Sequence, residues 1–130
     1  MQDPSQLIIQ TLEQVAEKAG DITAQVIENY HVRCPASQQL MTHMDEYMLG
    51  RMMDQVVLLL MEDGAEELDN YLRFETSNHR SYGVENYMYG NLLGALRDTV
   101  SDLVGNDLQP DELSALDGRI DFLLGKLTAT

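Results

Sequence analysis

Tryptophan is absent from this chain of 130 residues, and cysteine occurs once, at Cys34. A single cysteine cannot form an intramolecular disulfide, and this usage is typical of a reducing compartment. Only 2 phenylalanines accompany 8 methionines, so we expect a core of aliphatic and thioether side chains. Proline is rare as well. Pro4, Pro35 and Pro110 each stand where a helix could begin, and none interrupts a periodic stretch.

Positive charge is scarce, because 8 Lys and Arg residues oppose 22 Asp and Glu residues and give a formal net charge of −14. Such a chain repels phosphate backbones and anionic lipid surfaces, so we expect neither nucleic-acid binding nor membrane binding. We expect most carboxylates to lie on solvated faces. An acidic adaptor that mimics nucleic-acid charge would need these side chains clustered on one surface, and they are dispersed along the sequence.

Long apolar runs are also missing. The longest, 56–61, is far too short to span a membrane. The residues at the N-terminus, 1–5, show no basic leader followed by an apolar stretch, which a secretory signal would need. We therefore expect a soluble, cytoplasmic protein.

Apolar residues recur at helical spacing almost throughout, and almost nothing alternates with the period of a strand. The pattern predicts an all-α protein with six to seven helices in one domain, 1–130, whose connections are too irregular for a simple four-helix bundle. The predicted helices cover 4–19, 21–34, 35–41, 42–62, 65–78, 84–104 and the segment from 110 onwards. The fourth helix is expected to bury a stripe that consists of Met44, Met48, Met52, Val56, Leu59 and Leu60.

Sequence motifs for common enzyme chemistries do not occur. There is no HExxH, CxxC or paired ExxH motif, no P-loop, no dinucleotide-binding glycine fingerprint and no GxSxG elbow. No two of the histidines, His31, His43 and His79, are spaced four residues apart, as two metal ligands on one helical face would be. The motifs therefore give no support to hydrolysis, group transfer, or a zinc or di-iron centre.

Residues 79–84 read His-Arg-Ser-Tyr-Gly-Val, between a weak helix and a long apolar one. This segment resembles the bacterial haemoglobin-type globins, in which a histidine late in one helix is followed after three residues by Gly-Val and then by a long helix. Residues 87–96 look like the start of that next helix, and 112–116 are similar to the family's last helix. The resemblance implies a globin-like fold that binds haem b (iron protoporphyrin IX), with His79 as the iron ligand and Val84 at the porphyrin edge.

The resemblance also implies a set of residues on the opposite, distal face of the haem. Pro35 fits the proline of the family's short helix, which places Met41 where a haem-stacking phenylalanine is usual and Ile27 at a distal position on the second helix. Matching the long helix back from the iron ligand places Met48 near the usual distal His or Gln, with Met52 one turn later. These side chains offer no strong hydrogen-bond donor to bound oxygen.

The function implied by this resemblance is to bind or sense a diatomic gas (O2, CO or NO), or to transfer electrons, rather than enzymatic turnover. We expect weak retention of oxygen, or a resting state in which the thioether of Met48 or Met52 is the sixth iron ligand. Arg80 is close enough in sequence to His79 to pair with the haem propionates. Because the chain ends soon after its last predicted helix, redox turnover would need an external reductase, and sensing would need a signalling partner. A homo-oligomer is compatible with the sequence.

A second interpretation keeps the globin-like fold without haem, as a regulatory or interaction module. The methionine at position 41 and the apolar distal residues favour it. A histidine at a helix end is also more commonly a partner of the helix dipole than a ligand. A collapsed cleft behind His79 would favour this module, whereas a slot lined by Met48, Met52 and Val84 would favour haem.

Overall fold

The computed structural model describes residues 3–61 and 66–128. Within these ranges the chain forms seven α-helices and no strand, which confirms the all-α class and is consistent with a globin-like one. The helices, in chain order, are α1 (Pro4–Ala19), α2 (Thr23–Arg33), α3 (Ala36–Leu40), α4 (Glu46–Met61), α5 (Glu66–Ser81), α6 (Asn86–Val104) and α7 (Pro110–Thr128). The predicted break at 63–64 lies outside the described residues.

Helix α4 begins at Glu46 and not, as predicted, at Thr42. The reason is a local cap, since the Asp45 carboxylate accepts a hydrogen bond from the backbone N–H of Met48 at 2.9 Å. An aspartate in this position satisfies a donor that has no partner within the helix, and so fixes the first turn. The residues before it form turns instead.

The corner between α5 and α6 also differs from the prediction. Helix α5 continues to Ser81 rather than Asn78, and α6 begins at Asn86 rather than Val84. The new helix starts late because Glu85 is its N-cap and has an extended backbone, with φ of −102° and ψ of 158°. The backbone N–H of Val84 donates to the carbonyl of His79 at 3.1 Å and so closes the end of α5. The result is that His79 lies within the last turn of α5.

One hydrophobic core joins the helices. Helix α2 packs along α6, α1 packs along α7, and α6 crosses α7. A two-pronged ion pair between Arg97 and Asp117, with N–O distances of 2.9 and 3.3 Å, links α6 to α7. None of the helices in the described ranges has the length and apolar content needed to cross a bilayer.

The C-terminal part of α4 is held by a buried arginine of α7. Arg119 is only 8% exposed and donates to the carbonyl of Leu60 at 2.9 Å and to the hydroxyl of Ser5 at 2.9 Å. These bonds tie α4 to α7 and α1. Because α4 packs mainly on α1, α7 and α2, its remaining apolar face is left toward α5 and α6.

Candidate functional site

A cleft of about 550 Å³ lies between α4, α5 and α6, and residues of α3 and α7 complete its lining. This volume is in the range of small-molecule and cofactor sites. Aliphatic and thioether side chains form most of the lining, and four methionines contribute to it: Met41, Met44, Met52 and Met88. The cleft between these helices is therefore open and largely apolar.

The cleft exists because α4 carries two apolar stripes. Met53 and Leu60 are buried in the core. Met52, Val56 and Leu59 are only half-buried and line the cleft. Among the described residues, α6 packs on α1, α2 and α7 rather than on α4 or α5. The second stripe of α4 therefore has no helix pressed against it.

His79 lines the cleft from the last turn of α5. Its Nδ1 atom is buried and has no hydrogen-bond partner among the described residues. The nearest carboxylate oxygen on its own helix, Oε2 of Glu75, lies 3.8 Å from this nitrogen. Since the side chain as a whole is 43% exposed, its exposed surface belongs to the other atoms of the ring.

Tyr89 of α6 packs against this histidine. The two rings meet edge to face, with their centroids 6.4 Å apart. The Tyr89 hydroxyl is also buried without a hydrogen-bond partner in the described part of the chain. Burial raises the pKa of this phenol above its ordinary value, because the charged phenolate is poorly solvated there. Two polar groups without partners thus adjoin one another at the cleft.

The spacing of residues 79–84 has a direct structural explanation. In addition to the bond from Val84 to His79, the backbone N–H of Gly83 donates to the carbonyl of Arg80 at 3.1 Å. Gly83 has φ of +94°, and the pair of bonds is that of a Schellman helix stop. In this motif the residues at the two ends of the longer bond are neighbours, and both His79 and Val84 line the cleft. The spacing is thus accounted for by backbone geometry.

The structure brings four of the seven predicted site residues to this cleft, namely Met41, Met52, His79 and Val84. The other three are not part of its lining. Ile27 is 7% exposed and belongs to the core, and Met48, at 40% exposure, lies on the outer side of the first turn of α4. The expectation that Met48 belongs to the buried stripe is therefore wrong. Arg80 follows His79 directly in sequence and is not part of the lining.

The sequence interpretation missed several polar residues of the cleft. Arg51 and Gln55 line it from α4, and His43 lines it from the segment before α4. The hydroxyl of Tyr71 on α5 donates to Oε1 of Gln55 at 3.2 Å. The lining therefore includes hydrogen-bond donors, contrary to the predicted set. A signal for Gln55 was available, because it lies three residues after Met52, on the same helical face.

Metal ligands do not form a cluster in the described ranges, where no three His, Cys, Asp or Glu side chains are placed to hold an ion. A haem iron needs fewer protein ligands, since the macrocycle supplies four nitrogens and a single imidazole is enough from the protein. The residues present fit that need. His79 lines the largely apolar cleft together with His43, its Nδ1 has no hydrogen-bond partner among the described residues, and Arg51 lines the cleft from α4.

Comparison with known proteins does not assign a family. No family model matches the chain, and no curated protein matches it in sequence.

Proposed function

We propose that this protein binds haem b in the cleft between α4, α5 and α6, with His79 as the protein ligand of the iron. The bound iron would take up or sense a diatomic gas, or transfer electrons in concert with an external reductase. The observation that carries the proposal is an imidazole on the wall of an open, largely apolar cleft of about 550 Å³. A free, buried thiol at Cys34 supports a reducing compartment, and we propose the cytoplasm.

The walls of the cleft match the two chemical parts of a porphyrin. Met52 and Val56 on α4, together with Leu92 on α6, provide apolar surface for the macrocycle. Burial of such surface is favourable by about 25 cal/mol per Å². The propionates need a cation, and Arg51 is the arginine that lines the cleft. In this proposal Arg51 takes the role that the sequence interpretation gave to Arg80.

Each side chain has a separate task in this proposal. His79 would hold the iron through a ring nitrogen, and bound haem would supply reversible gas binding and one-electron chemistry. Gln55 brings a side-chain amide to the α4 wall, where its oxygen already accepts from Tyr71. Met52 adds a polarisable thioether on the same wall. The apolar residues around them exclude water.

A second candidate function is a haem-free module whose cleft holds a lipid-like ligand. The observation in its favour is the Schellman stop, which accounts for the spacing of His79, Gly83 and Val84 without any iron. An apolar chain would contact the same methionines, and a carboxylate head group would pair with Arg51. A collapsed pocket, by contrast, is not favoured by the open volume of the cleft.

The test is a titration of the purified protein with haemin, followed by its Soret absorption. We expect a saturable band that corresponds to one haem per chain. His79→Gly should weaken this band or change the coordination of the iron, and added imidazole should restore the wild-type band. The matched control is His43→Gly, because His43 also lines the cleft. This variant should keep the wild-type spectrum.

Two results would contradict haem binding through His79. One is a wild-type protein that gives no saturable Soret band. The other is a His79→Gly protein, folded by circular dichroism, whose spectrum equals that of the wild type. If a fluorescent fatty acid binds with saturation while haemin does not, the second candidate is the correct one.

A further inference from the structure

We propose that Glu75 is a positioning residue for His79. Its carboxylate accepts a hydrogen bond from Nδ1–H and so fixes the tautomer in which Nε2 keeps its lone pair. The consequences for bound iron rest on the proposed function, whereas the tautomer itself is a property of the free protein. The two are therefore measured separately.

The geometry that carries this inference lies within one turn of α5. Glu75 and His79 are four residues apart, which places their side chains on the same helical face. Oε2 of Glu75 is 3.8 Å from Nδ1 of His79, and both residues line the cleft. Nδ1 is buried and forms no hydrogen bond with the described residues, so it is open to an acceptor on the same face.

The distance of 3.8 Å exceeds that of a formed hydrogen bond, which is about 2.7–3.2 Å. In ligand-free sites such contacts are often long and tighten when the ligand arrives. The Glu75 side chain is 30% exposed, so it is free to make the small movement that is required. The unpaired state of Nδ1 supplies the energetic reason for this movement, because a buried donor without an acceptor is costly.

The chemistry of the imidazole explains why this contact matters. A neutral ring carries one N–H and one lone pair, and the hydrogen bond at one nitrogen decides which form is present. Histidines that bind metals almost always donate their second N–H to a carboxylate, a carbonyl or water. A carboxylate acceptor also increases electron density on the ring, which stabilises ferric over ferrous iron and lowers the reduction potential.

Tyr89 is the other group that could act on Nδ1, because its hydroxyl is equally without a partner. Its ring meets His79 at its edge, with a centroid separation of 6.4 Å, and no hydrogen bond joins the two side chains. Tyr89→Phe removes the hydroxyl and keeps the ring contact. This variant therefore separates an effect of the hydroxyl from an effect of the carboxylate.

The first experiment uses the haem-free protein and long-range ¹⁵N–¹H correlation spectra of the histidine rings. We expect His79 as the Nδ1–H tautomer in the wild type. In Glu75→Ala it should shift toward the Nε2–H form that free histidine prefers, and Glu75→Gln should fall between the two because its amide oxygen still accepts. Glu28→Ala is the matched control, since Glu28 is exposed on α2. An Nε2–H tautomer in the wild type overturns the inference.

The second experiment uses the haem-loaded protein and measures the midpoint potential and the iron–histidine stretching frequency. We expect Glu75→Ala to raise the potential, to lower the frequency and to weaken haem binding by about 10–100-fold. Glu28→Ala should leave both quantities near the wild-type values. If Glu75→Ala behaves as Glu28→Ala does, the role of Glu75 is refuted while haem binding stands. If the wild type binds no haem, the proposed function fails and the tautomer still decides the role of Glu75.

Discussion

Gly83 shows how one residue determines the shape of the cleft. Its φ of +94° is a conformation that only glycine adopts without strain, and it allows Val84 to bond back to His79. A Cβ atom at this position would also lie 3.2 Å from Cδ2 of Leu40 on α3. The corner between α5 and α6 and the close approach of Leu40 on α3 thus both depend on the absence of a Cβ atom at position 83.

We expect Gly83→Ala to lower the free energy of unfolding by about 1–2 kcal/mol, because the left-handed backbone penalises an L side chain by that amount. Urea denaturation gives this difference directly. The control is Gly118→Ala within α7, where a Cβ atom meets nothing within 4 Å. Alanine there should stabilise the protein by about 0.5–1 kcal/mol. Equal stabilities of the two variants would contradict the role assigned to Gly83.

His31 illustrates a second effect at the scale of one residue. Its Nδ1 lies 2.7 Å from the hydroxyl oxygen of Ser37, and that hydroxyl donates to the carbonyl of Cys34 at 2.7 Å. The ring must therefore donate from Nδ1 in its neutral form. Burial lowers the pKa of His31 from its ordinary value of 6.5, because the charged ring loses hydration.

The lowered pKa of His31 predicts a pH dependence of stability with a definite sign. The unfolded chain takes up a proton at a higher pH than the folded chain, so the free energy of unfolding should fall as the pH drops below about 6.5. His31→Gln should flatten this part of the curve and leave the slope at higher pH unchanged. Urea denaturation from pH 8 to pH 5 measures both proteins, and parallel curves would rule out a contribution from His31.

At the scale of elements, the question is which helix supplies the cation for the cleft. Arg51 lies on the cleft face of α4, stacks over the ring of Tyr47 at 5.9 Å and forms no ion pair with the described residues. Arg80 is next to His79 in sequence but does not line the cleft. Proximity along the chain and proximity in space therefore point to different arginines.

We expect Arg51→Gln to weaken haemin binding about two- to fivefold, which corresponds to an exposed ion pair of up to about 1 kcal/mol. Arg80→Gln removes the same charge from α5 and should leave the affinity unchanged. Dissociation constants from Soret titrations at low ionic strength provide the comparison. If Arg80→Gln loses more haemin affinity than Arg51→Gln, the cation that pairs with the propionates is on α5 and not on α4.

The elements also show what the sequence could reveal and what it could not. The bounds of α1 and the start of α7 follow from local signals, namely a proline at each start and, for α1, Gly20 at the end. The stop after His79 is local as well, because its hydrogen bonds span only six residues. The rotation of α4 is different, since it depends on packing against α1 and α7. This packing leaves Met48 at 40% exposure, which a helical period alone could not show.

The whole molecule carries its negative charge with few compensating cations. Among the described residues, Arg97 pairs with Asp117 and Lys126 pairs with Asp69, and each of these pairs links two helices. Exposed pairs of this kind contribute about 0–1 kcal/mol each. The formal net charge of −14 acts on the compact state as a whole and opposes folding by self-repulsion.

Salt should therefore stabilise this protein rather than destabilise it. Raising NaCl from 10 to 150 mM shortens the screening length from about 30 to about 8 Å, which weakens repulsion between distant carboxylates more than attraction within close pairs. We expect the thermal midpoint of unfolding to rise over this range. Lys126→Gln is the control, because it adds one net negative charge and should increase the salt dependence. A midpoint that falls with salt would mean that the ion pairs between helices outweigh the net charge.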